Sequence, residues 1–415
     1  MITLYNDKTK CCGCGACSSA CPKDAITMEE DAHGFIYPKI DSKKCVECGL
    51  CINSCHYKSA DDLHTPIKSL AAVNRDDTLL KNSASGGMFS AIAEAFLNEG
   101  GCVCGAAIDF KDNVADVRHI VIHSTSELNL LQKSKYVQSS TDKIYKELRT
   151  LLKNGEKVLF SGTPCQVEAA KSIAKRAGGK LYTIDIICHG VPSQRFFNDF
   201  IACEAEKRKM KINSFDFRDK KYGWGLDGSI VGKNTNNVKI EEVVNPNTES
   251  YYYYFLTGEI YRNCCYKCPY AKKQRVGDIT IGDYWGIEQY NPELLIEHGG
   301  TINRRKGVSC LLVNTEQGQH LIEKYGSKIE SYPIEFSNIA QVNTQLCHPA
   351  KHTDLRNKIF EKYKSKGYAG VEYMFDCYKQ KQKVKQSIKK WMRKVLPKSA
   401  IKLLKNFKNH CLTKF

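Results

Sequence analysis

The chain has 415 residues, enough for a small domain followed by one or two larger ones, and its 42% hydrophobic content supports a buried core. Its formal charge is +17, but thirteen Lys and Arg residues lie between Lys379 and Phe415, where no acidic residue occurs. The rest of the chain is only mildly basic, which argues against a nucleic-acid-binding protein. No run of 18 apolar residues occurs, so no membrane-spanning helix is predicted.

The first cysteine-rich segment is KCCGCGACSSACP, residues 10–22, which has the C-x2-C-x2-C-x3-C-P spacing of bacterial 4Fe–4S ferredoxins. The same spacing recurs 34 residues later, with His56 in the position of the proline. In such pairs, each run gives three cysteines to one cluster and its fourth cysteine to the other. We therefore assign one cluster to Cys11, Cys14, Cys17 and Cys55, and the other to Cys45, Cys48, Cys51 and Cys21. This assignment leaves Cys12 without a role.

A disulfide framework or a zinc site would also use many cysteines, but neither fits this pattern well. The chain begins MITLYNDKTK, without an apolar signal segment, so we expect it to stay in the reducing cytoplasm, where disulfides are rare. Zinc ribbons use paired C-x2-C halves rather than triplets followed by a fourth cysteine. Between the two runs, AITMEEDAHGFIYPKID alternates in hydrophobicity around a glycine, which predicts a small β-hairpin that holds the two loops together.

The remainder of the chain alternates between helical and strand periodicity, which predicts βαβ units and parallel strands. The elements predicted in chain order are the helix MFSAIAEAFLNEGG, the strand CVCGAAIDF, the helix IYKELRTLLKNG, the strand KVLF, the helix QVEAAKSIAKRAGG and the strand LYTIDII. The predicted fold is an α+β ferredoxin-like dicluster domain followed by an α/β domain with a mainly parallel sheet. The predicted boundaries are 1–60 for the first domain, 61–70 for a linker, 71–376 for the second domain and 377–415 for a basic amphipathic tail.

Three further cysteine-containing segments lie next to predicted strands. SGTPCQ and CHGVP each follow a strand, and RNCCYKCPYAKKQRVGDITIGDYWG leads into one. Because ligands of open parallel sheets bind beyond the carboxyl ends of the strands, we expect Cys165, Cys188, Cys265 and Cys268 to converge on a third 4Fe–4S cluster. The alternative is that Cys165 and Cys188 are buried thiols and that the loop with Cys265 and Cys268 holds zinc or no metal.

A relay of single electrons that serves an organic substrate needs a group that also exchanges electron pairs, and a flavin does this. Ser85, Gly86 and Gly87 stand at the start of a predicted helix, where backbone N–H groups suit a pyrophosphate; the same segment is also an ordinary helix cap. The chain has no G-x-G-x-x-G motif, which disfavours a nicotinamide-binding domain.

The segment KSKYVQSS offers further contacts to such a cofactor. It contributes Lys135, Tyr136, Gln138 and Ser139, which can clamp a phosphate or polarise a flavin ring. A solvated strand end is the alternative explanation of the same four residues.

Two titratable residues are candidates for catalytic proton transfer. His189 is a candidate proton donor because imidazole titrates near neutral pH, and a structural histidine is the alternative. Asp283 is a candidate proton-transfer residue or a turn-forming aspartate. The sequence leaves both alternatives open.

The basic tail has apolar residues at helical spacing. They are Val384, Ile388, Trp391, Met392 and Val395, followed after Pro397 by Ile401, Leu404 and Phe407. A basic amphipathic helix with a tryptophan on its apolar face suits an anionic membrane surface or an acidic partner. It would place a cytoplasmic protein at the inner face of the membrane; a solvated tail packed on its own domain is the alternative.

Six ordered blocks, from about Ala71 to the mid-300s, resemble the family formed by the beta subunits of coenzyme F420 hydrogenases and dehydrogenases. The blocks are SASGGMFSAIAEAFLNEGGCVCGAAI, SKYVQS, SGTPCQVEAAK, TIDIICHGVPS, FRDKKYGWG and CYKCPYAKKQRVGDITIGDYWG. The resemblance implies an FAD-containing iron–sulfur subunit that passes electrons between clusters and a two-electron acceptor. By matching blocks, it also implies flavin-site residues, namely Ser85, Gly86, Gly87, Lys135, Tyr136, Gln138, Ser139, Gly162, Thr163, Pro164 and Gln166. Cys264 stands where relatives tend to have another residue, so the choice between Cys264 and Cys265 stays open.

The resulting hypothesis is an iron–sulfur flavoprotein oxidoreductase. Its acceptor would be coenzyme F420 or another small organic substrate, since some bacterial members of the family are linked to surface-polysaccharide synthesis. An electron-donor or acceptor protein is the expected partner. The first alternative is a non-catalytic electron-transfer subunit that serves a partner enzyme, and the second, based on the basic tail alone, is a cluster-containing scaffold.

Overall fold

The computed structural model describes residues 2–58, 60, 62–141 and 143–395. Contacts divide the chain into two units, Met1–Asn357 and Lys358–Phe415. The first strand of the large sheet begins at Lys68, within the predicted linker. The first unit therefore includes both the N-terminal cysteine runs and the sheet, and the domain boundaries inside it stay predictions.

The N-terminal region consists of one hairpin and two single-turn helices. Its elements are α1 (Ala16–Ser19), β1 (Ile26–Glu30), β2 (Ile36–Ile40) and α2 (Leu50–Asn53), and β1 pairs with β2 in antiparallel fashion. Each helix follows a glycine with a positive φ, 77° at Gly15 and 74° at Gly49. A residue with a side chain is strained in this conformation, so glycine lets each cysteine loop turn directly into its helix. The predicted hairpin is confirmed.

The remaining strands form one large and one small sheet. They are β3 (Lys68–Asn74), β4 (Cys102–Lys111), β5 (Val114–Ile122), β6 (Lys157–Gly162), β7 (Lys180–Ile186), β8 (Met210–Asp216), β9 (Gly228–Asn234), β10 (Lys239–Val244), β11 (Ile279–Asp283), β12 (Ser309–Val313) and β13 (Ile329–Pro333). The large sheet has the order β13-β3-β12-β11-β7-β6-β4-β5. Its four adjacent strands β11, β7, β6 and β4 are parallel, and antiparallel strands flank them on both sides. The predicted α/β class with parallel strands is thus confirmed.

Helices cover both faces of the large sheet. The helices after the N-terminal region are α3 (Asp77–Lys81), α4 (Met88–Asn98), α5 (Leu128–Leu131), α6 (Ile144–Lys153), α7 (Pro164–Ala177), α8 (Gln194–Arg208), α9 (Ser250–Leu256), α10 (Ile287–Tyr290), α11 (Glu316–Tyr325), α12 (Phe336–Val342) and α13 (Asp354–Val395). Successive residues of β6 point to opposite faces: Leu159 packs with Ile92 of α4, whereas Phe160 packs with Leu148 of α6. Each fully buried side chain of this size contributes about 1.5–3 kcal/mol to folding.

The small sheet has the order β10-β9-β8, and all of its pairs are antiparallel. An aromatic cluster packs against it, in which the ring centroids of Phe197 and Tyr251 are 4.9 Å apart and those of Phe215 and Phe217 are also 4.9 Å apart. This cluster fixes the chain just before Arg218, a residue of the candidate site.

The six elements predicted in chain order correspond to α4, β4, α6, β6, α7 and β7, and all are confirmed. The sequence analysis did not predict the antiparallel strands β3, β5, β12 and β13, nor the small sheet. The partners of β3 are distant along the chain, since it lies between β12 and β13, whereas β5 and the small sheet pair with strands close in sequence.

The last described helix, α13, is interrupted at Gly367, whose φ is 61°. Val384, Ile388 and Trp391 are each more than half exposed on this helix, at 59%, 52% and 61%. The predicted helical segment is confirmed up to Val395, and the segment that contains Pro397, Ile401, Leu404 and Phe407 lies outside the described residues. Within the described residues, none of the helices combines the length and the apolar character needed to cross a bilayer.

Candidate functional site

The structure brings the N-terminal cysteines together in the two predicted groups. The second predicted group, Cys21, Cys45, Cys48 and Cys51, lines one small cavity. In the first predicted group, burial and the neighbouring thiols of Cys14, Cys11 and Cys55 raise the pKa of Cys17. All cysteines in the described part of the chain are free thiols, so no disulfide competes with metal binding there.

The cysteines predicted to hold a third cluster also converge. Cys165 lies in the first turn of α7, which follows β6, and Cys188 lies two residues beyond the end of β7. The loop before β11 supplies Cys265 and Cys268, and the four side chains line one cavity, named here the thiol cavity. Because β6 and β7 are parallel neighbours, their carboxyl ends bring Cys165 and Cys188 to one edge of the sheet. The loop before β11 places Cys265 and Cys268 at the same cavity.

Two cysteines outside the predicted quartet, Cys12 and Cys264, line the same thiol cavity. Hydrogen bonds with Cys14 and Cys165 raise the pKa of the Cys12 thiol well above its usual value. The bond to Cys12 is the main reason that the pKa of Cys165 falls to about 7. Cys12 therefore connects the first N-terminal group to the thiol cavity.

Side chains of the sheet domain bind the first cysteine loop through its backbone carbonyls. Thr141 Oγ1 donates to the Cys14 carbonyl at 2.5 Å, and Gln138 Nε2 donates to the Cys12 carbonyl at 3.0 Å. Arg262 Nε donates to the Cys11 carbonyl at 3.0 Å. These bonds leave the thiols free to act as ligands while they fix the loop against the sheet domain.

A larger cavity of about 310 Å³ adjoins the thiol cavity, and Cys165 and Cys188 line both. Nine predicted flavin-site residues line this larger cavity, named here the cofactor cavity: Ser85, Gly87, Lys135, Tyr136, Gln138, Ser139, Gly162, Thr163 and Gln166. His189 and Asp283 line it as well. Pro164 lines the thiol cavity instead.

The glycine loop before α4 is held tightly by neighbouring strands. The N–H of Gly86 donates to Ser309 Oγ at 2.9 Å, and Ser85 Oγ donates to the Val308 carbonyl at 2.9 Å. A Cβ on Gly86 would lie 2.4 Å from the carbonyl oxygen of Ala72, so only glycine fits there. Gly86 therefore fixes the loop, and its neighbours Ser85 and Gly87 face the cofactor cavity.

A hydrogen-bonded chain of side chains forms one wall of the cofactor cavity. Gln166 Nε2 donates to Ser139 Oγ at 3.0 Å, and Ser139 Oγ lies 3.0 Å from His119 Nδ1. The N–H of Thr163 donates to Gln166 Oε1 at 3.1 Å, which caps helix α7. Burial lowers the pKa of His119 to about 4, so this imidazole is neutral at pH 7. Most of these polar atoms are already paired, which makes the wall rigid.

Lys135 and Arg218, two of the cationic residues that line the cofactor cavity, differ in character. Burial lowers the pKa of Lys135 to about 7, and its ammonium donates to the Gln132 carbonyl at 2.5 Å. Arg218 instead binds both oxygens of Asp283, at 2.5 Å and 3.0 Å. Trp224 Nε1 donates to the same carboxylate at 2.9 Å. With both oxygens occupied, Asp283 is suited to hold Arg218 in place.

His189 is exposed within the cofactor cavity. Desolvation by the surrounding walls lowers its pKa, and Asp283 only partly opposes this effect. The His189 imidazole is therefore neutral at pH 7, and its N–H donates a hydrogen bond more readily than it releases a proton. Its role in proton transfer stays a prediction.

Sequence analysis missed Arg262 and Arg275, two buried arginines that line the thiol cavity. Both lie in the cysteine-containing segment RNCCYKCPYAKKQR. A separate group, Cys102, His123 and Glu156, has ligand atoms within 4.8 Å of one another. The Cys102 thiol already donates to the Lys157 carbonyl at 3.6 Å, so this buried thiol has a partner without a metal.

Fold and site together define an iron–sulfur electron-transfer protein. A family described as the 4Fe-4S dicluster domain matches residues 10–59. A second family, the C-terminal part of the beta subunit of coenzyme F420 hydrogenase/dehydrogenase, matches residues 155–339. Residues 155–339 are thus similar to the beta subunits of F420 hydrogenases and dehydrogenases, and residues 10–59 are similar to dicluster domains, which confirms the resemblance found in the sequence.

Two similar proteins come from Methanosarcina species. The F subunit of F(420)H(2) dehydrogenase from Methanosarcina mazei is 24% identical over 299 residues, which span 68% of this chain and 77% of that protein. A chain in the xenon-derivatized structure of the F420-reducing NiFe hydrogenase complex from Methanosarcina barkeri is 16% identical. That match covers 73% of this chain and 94% of the other, with a TM-score of 0.45.

Proposed function

We propose that the chain is an iron–sulfur flavoprotein oxidoreductase with three 4Fe–4S clusters and FAD. Its two-electron acceptor is coenzyme F420 or another small organic substrate, including one of surface-polysaccharide metabolism. One observation carries this proposal: Cys165, Cys188, Cys265 and Cys268, from three separate segments, line a cavity that adjoins the cofactor cavity. When bound, the clusters carry single electrons and the flavin exchanges them in pairs.

The donor set of the thiol cavity fits a third cluster. Four thiols without disulfides are the ligands that such clusters require. Cys165 lies in the first turn of the 14-residue helix α7, where the helix dipole favours the thiolate over the thiol. Its pKa of about 7 agrees with this environment, although the hydrogen bond from Cys12 is the larger cause.

The lining of the cofactor cavity fits an anionic, ring-containing cofactor. Gly87, with a φ of 77°, immediately precedes α4, an 11-residue helix whose N-terminus favours negatively charged groups. Lys135 supplies a positive charge. A nearby phosphate would favour the charged form of this lysine and so oppose the lowering of its pKa by burial. Tyr136, stacked on Phe255 at 4.4 Å, offers a rigid aromatic wall. In this proposal these residues bind and orient FAD, and His189 donates a hydrogen bond within the site.

A second candidate function is a non-catalytic electron-transfer subunit. The observation that favours it is the name of the similar Methanosarcina mazei protein, which is one subunit of a dehydrogenase. A partner protein would then perform the chemistry. Turnover by the isolated chain with an electron donor and F420 supports the first function, and bound flavin without turnover supports the second.

Metal and flavin analysis tests the proposal. Anaerobically purified protein is expected to contain one FAD and about twelve irons per chain, because each 4Fe–4S cluster contributes four. Cys268→Ser is expected to lower the iron content to about eight, since the thiol cavity would lose a ligand. Cys347→Ser, which replaces an exposed thiol outside both cavities, is the matched control and should keep all of the iron.

Two outcomes would contradict parts of this proposal separately. A content of about eight irons per chain in the unmodified protein would contradict the assignment of a third cluster. Protein that retains its iron but contains no flavin would contradict the FAD assignment, but it would not contradict the assignment of the clusters.

The basic tail carries a separate part of the proposal, a peripheral contact with an anionic membrane at its cytoplasmic face. Val384, Ile388 and Trp391 expose an apolar stripe on a segment without acidic residues. Deletion of residues 379–415 is expected to weaken co-sedimentation with anionic vesicles and to leave the low binding to neutral vesicles unchanged. Equal binding by the full and the shortened chains would reject the membrane contact.

A further inference from the structure

Arg262 is a fully buried arginine where the N-terminal region meets the sheet domain. Its guanidinium donates to the Cys11 carbonyl at 3.0 Å and to the Ile36 carbonyl at 2.6 Å. A third N–H donates to Gln138 Oε1 at 3.2 Å. Every acceptor is a neutral oxygen, so these bonds satisfy the donors without neutralising the positive charge.

No carboxylate offsets this charge: within the part of the chain that the structure describes, Arg262 has hydrogen bonds to neutral oxygens and no salt bridge. The other buried arginine of the thiol cavity, Arg275, does have such a partner, because its guanidinium lies 3.3 Å from Asp185. Burying an unpaired cation is energetically costly, so a negative charge is expected beside Arg262.

Cysteine thiols are the groups that can supply this negative charge. Burial lowers the pKa of Arg262, but Cys264, Tyr37, Cys11 and Cys12 raise it, and the net change is upward. Cys11 belongs to the first N-terminal cluster group, and its backbone carbonyl is already bound to Arg262. A cluster held by four thiolates is negatively charged in both of its oxidation states and would neutralise the guanidinium.

The guanidinium cannot move away from this loop. Arg262 Cζ lies 4.1 Å from the centroid of the Tyr37 ring, on the hairpin of the N-terminal region. On another side it contacts Gly13, whose φ is 66° and where a Cβ would lie only 2.7 Å from Arg262 Nη1. The glycine of the CCGC sequence thus makes room for the arginine, and the charge has a fixed position beside the cysteine loop.

We propose that Arg262 raises the reduction potential of the cluster held by Cys11, Cys14, Cys17 and Cys55. Reduction adds one electron and no proton, so the site gains one negative charge, which a fixed cation in a low-dielectric interior stabilises. The donor protein of the proposed function supplies that electron in use, and dithionite supplies it in the experiment. The inference rests on the proposed function in that these four thiols hold a cluster.

Arg262→Gln and Arg262→Lys test this role in anaerobic holoprotein, by dithionite titration of the clusters followed by electron paramagnetic resonance. Arg262→Gln is expected to lower the ratio of reduced to oxidised cluster about tenfold at the unmodified protein's midpoint, which is a shift of about 59 mV for one electron. Arg262→Lys keeps the charge and is expected to recover most of this shift.

Arg195→Gln is the matched control. Arg195 binds the same hairpin by donating to the carbonyls of Asp31 and Ala32, at 2.9 Å and 2.6 Å. Among the described residues, it has no hydrogen bond to the cysteine loop. Its removal should leave the potential unchanged. An unchanged potential in Arg262→Gln with full iron, or an equal shift in Arg195→Gln, would overturn the proposal.

Two further results keep the inference separate from the proposed function. If Arg262→Gln loses iron, Arg262→Lys serves as the test. A lysine variant that keeps full iron but lowers the ratio of reduced to oxidised cluster tenfold would reject a charge effect. If the unmodified protein holds only about eight irons, the third cluster is lost from the proposed function, and the titration of the N-terminal clusters still tests Arg262.

Discussion

Replacing Cys188 with serine is expected to abolish rapid reduction of the proposed FAD by electrons that enter at the N-terminal clusters, without removing those clusters. Cys188 lines both the thiol cavity and the cofactor cavity, so its side chain stands between the two sites. Serine is a poor ligand for iron, so the proposed third cluster in the thiol cavity would be lost or would lose its stable potential. Stopped-flow measurement of flavin absorbance after mixing with a reduced ferredoxin gives the rate.

Cys310→Ser is the control for the loss of a buried thiol near the same sheet edge. Cys310 is fully buried on β12 and donates to the Asp283 carbonyl at 3.6 Å, but it lies outside the residues that line either cavity. This variant should reduce its flavin as fast as the unmodified protein. A Cys188→Ser protein with an unchanged rate would show that electrons reach the flavin by another route.

The parts of the site that the sequence predicts are those with local patterns or a topological rule behind them. The cysteine runs have fixed spacing because three ligands of one cluster come from one short loop. The quartet with Cys165 and Cys188 has no such spacing; its prediction follows from the rule that the carboxyl ends of parallel strands meet at one edge. The rule accounts for Cys165 and Cys188, which follow β6 and β7, but it does not cover Cys265 and Cys268, which precede β11.

The residues that sequence analysis missed depend on contacts between distant segments. Arg262 binds the carbonyl of Cys11, which is 251 positions away, and no local pattern announces that pairing. Cys12 has no place in the ferredoxin spacing, yet it lines the thiol cavity. The antiparallel strand β3 was missed for the same reason, since both of its partners follow more than 200 residues later.

Replacing Arg275 with methionine is expected to destabilise the protein by about 3–5 kcal/mol, the usual cost of breaking a buried ion pair. Arg275 is 2% exposed and its partner Asp185 is fully buried. Removal of the arginine would leave the carboxylate with only the weak backbone donors of Val276 and Gly277, at 3.3 Å and 3.4 Å. Anaerobic urea unfolding, followed by tryptophan fluorescence, measures the change.

A double variant and a surface control separate charge burial from loss of packing. Arg118→Met breaks exposed pairs with Asp109 and Asp116 and is expected to cost about 0–1 kcal/mol for each. Arg275→Met combined with Asp185→Asn removes both buried charges, so it should recover much of the loss seen in the single variant. If the double variant is no more stable than Arg275→Met, the main role of the arginine is its bonds to the carbonyls of Tyr270 and Ile186. Those bonds tie the loop that carries Cys265 and Cys268 to the end of β7, so the iron of the proposed third cluster should then fall in both variants alike.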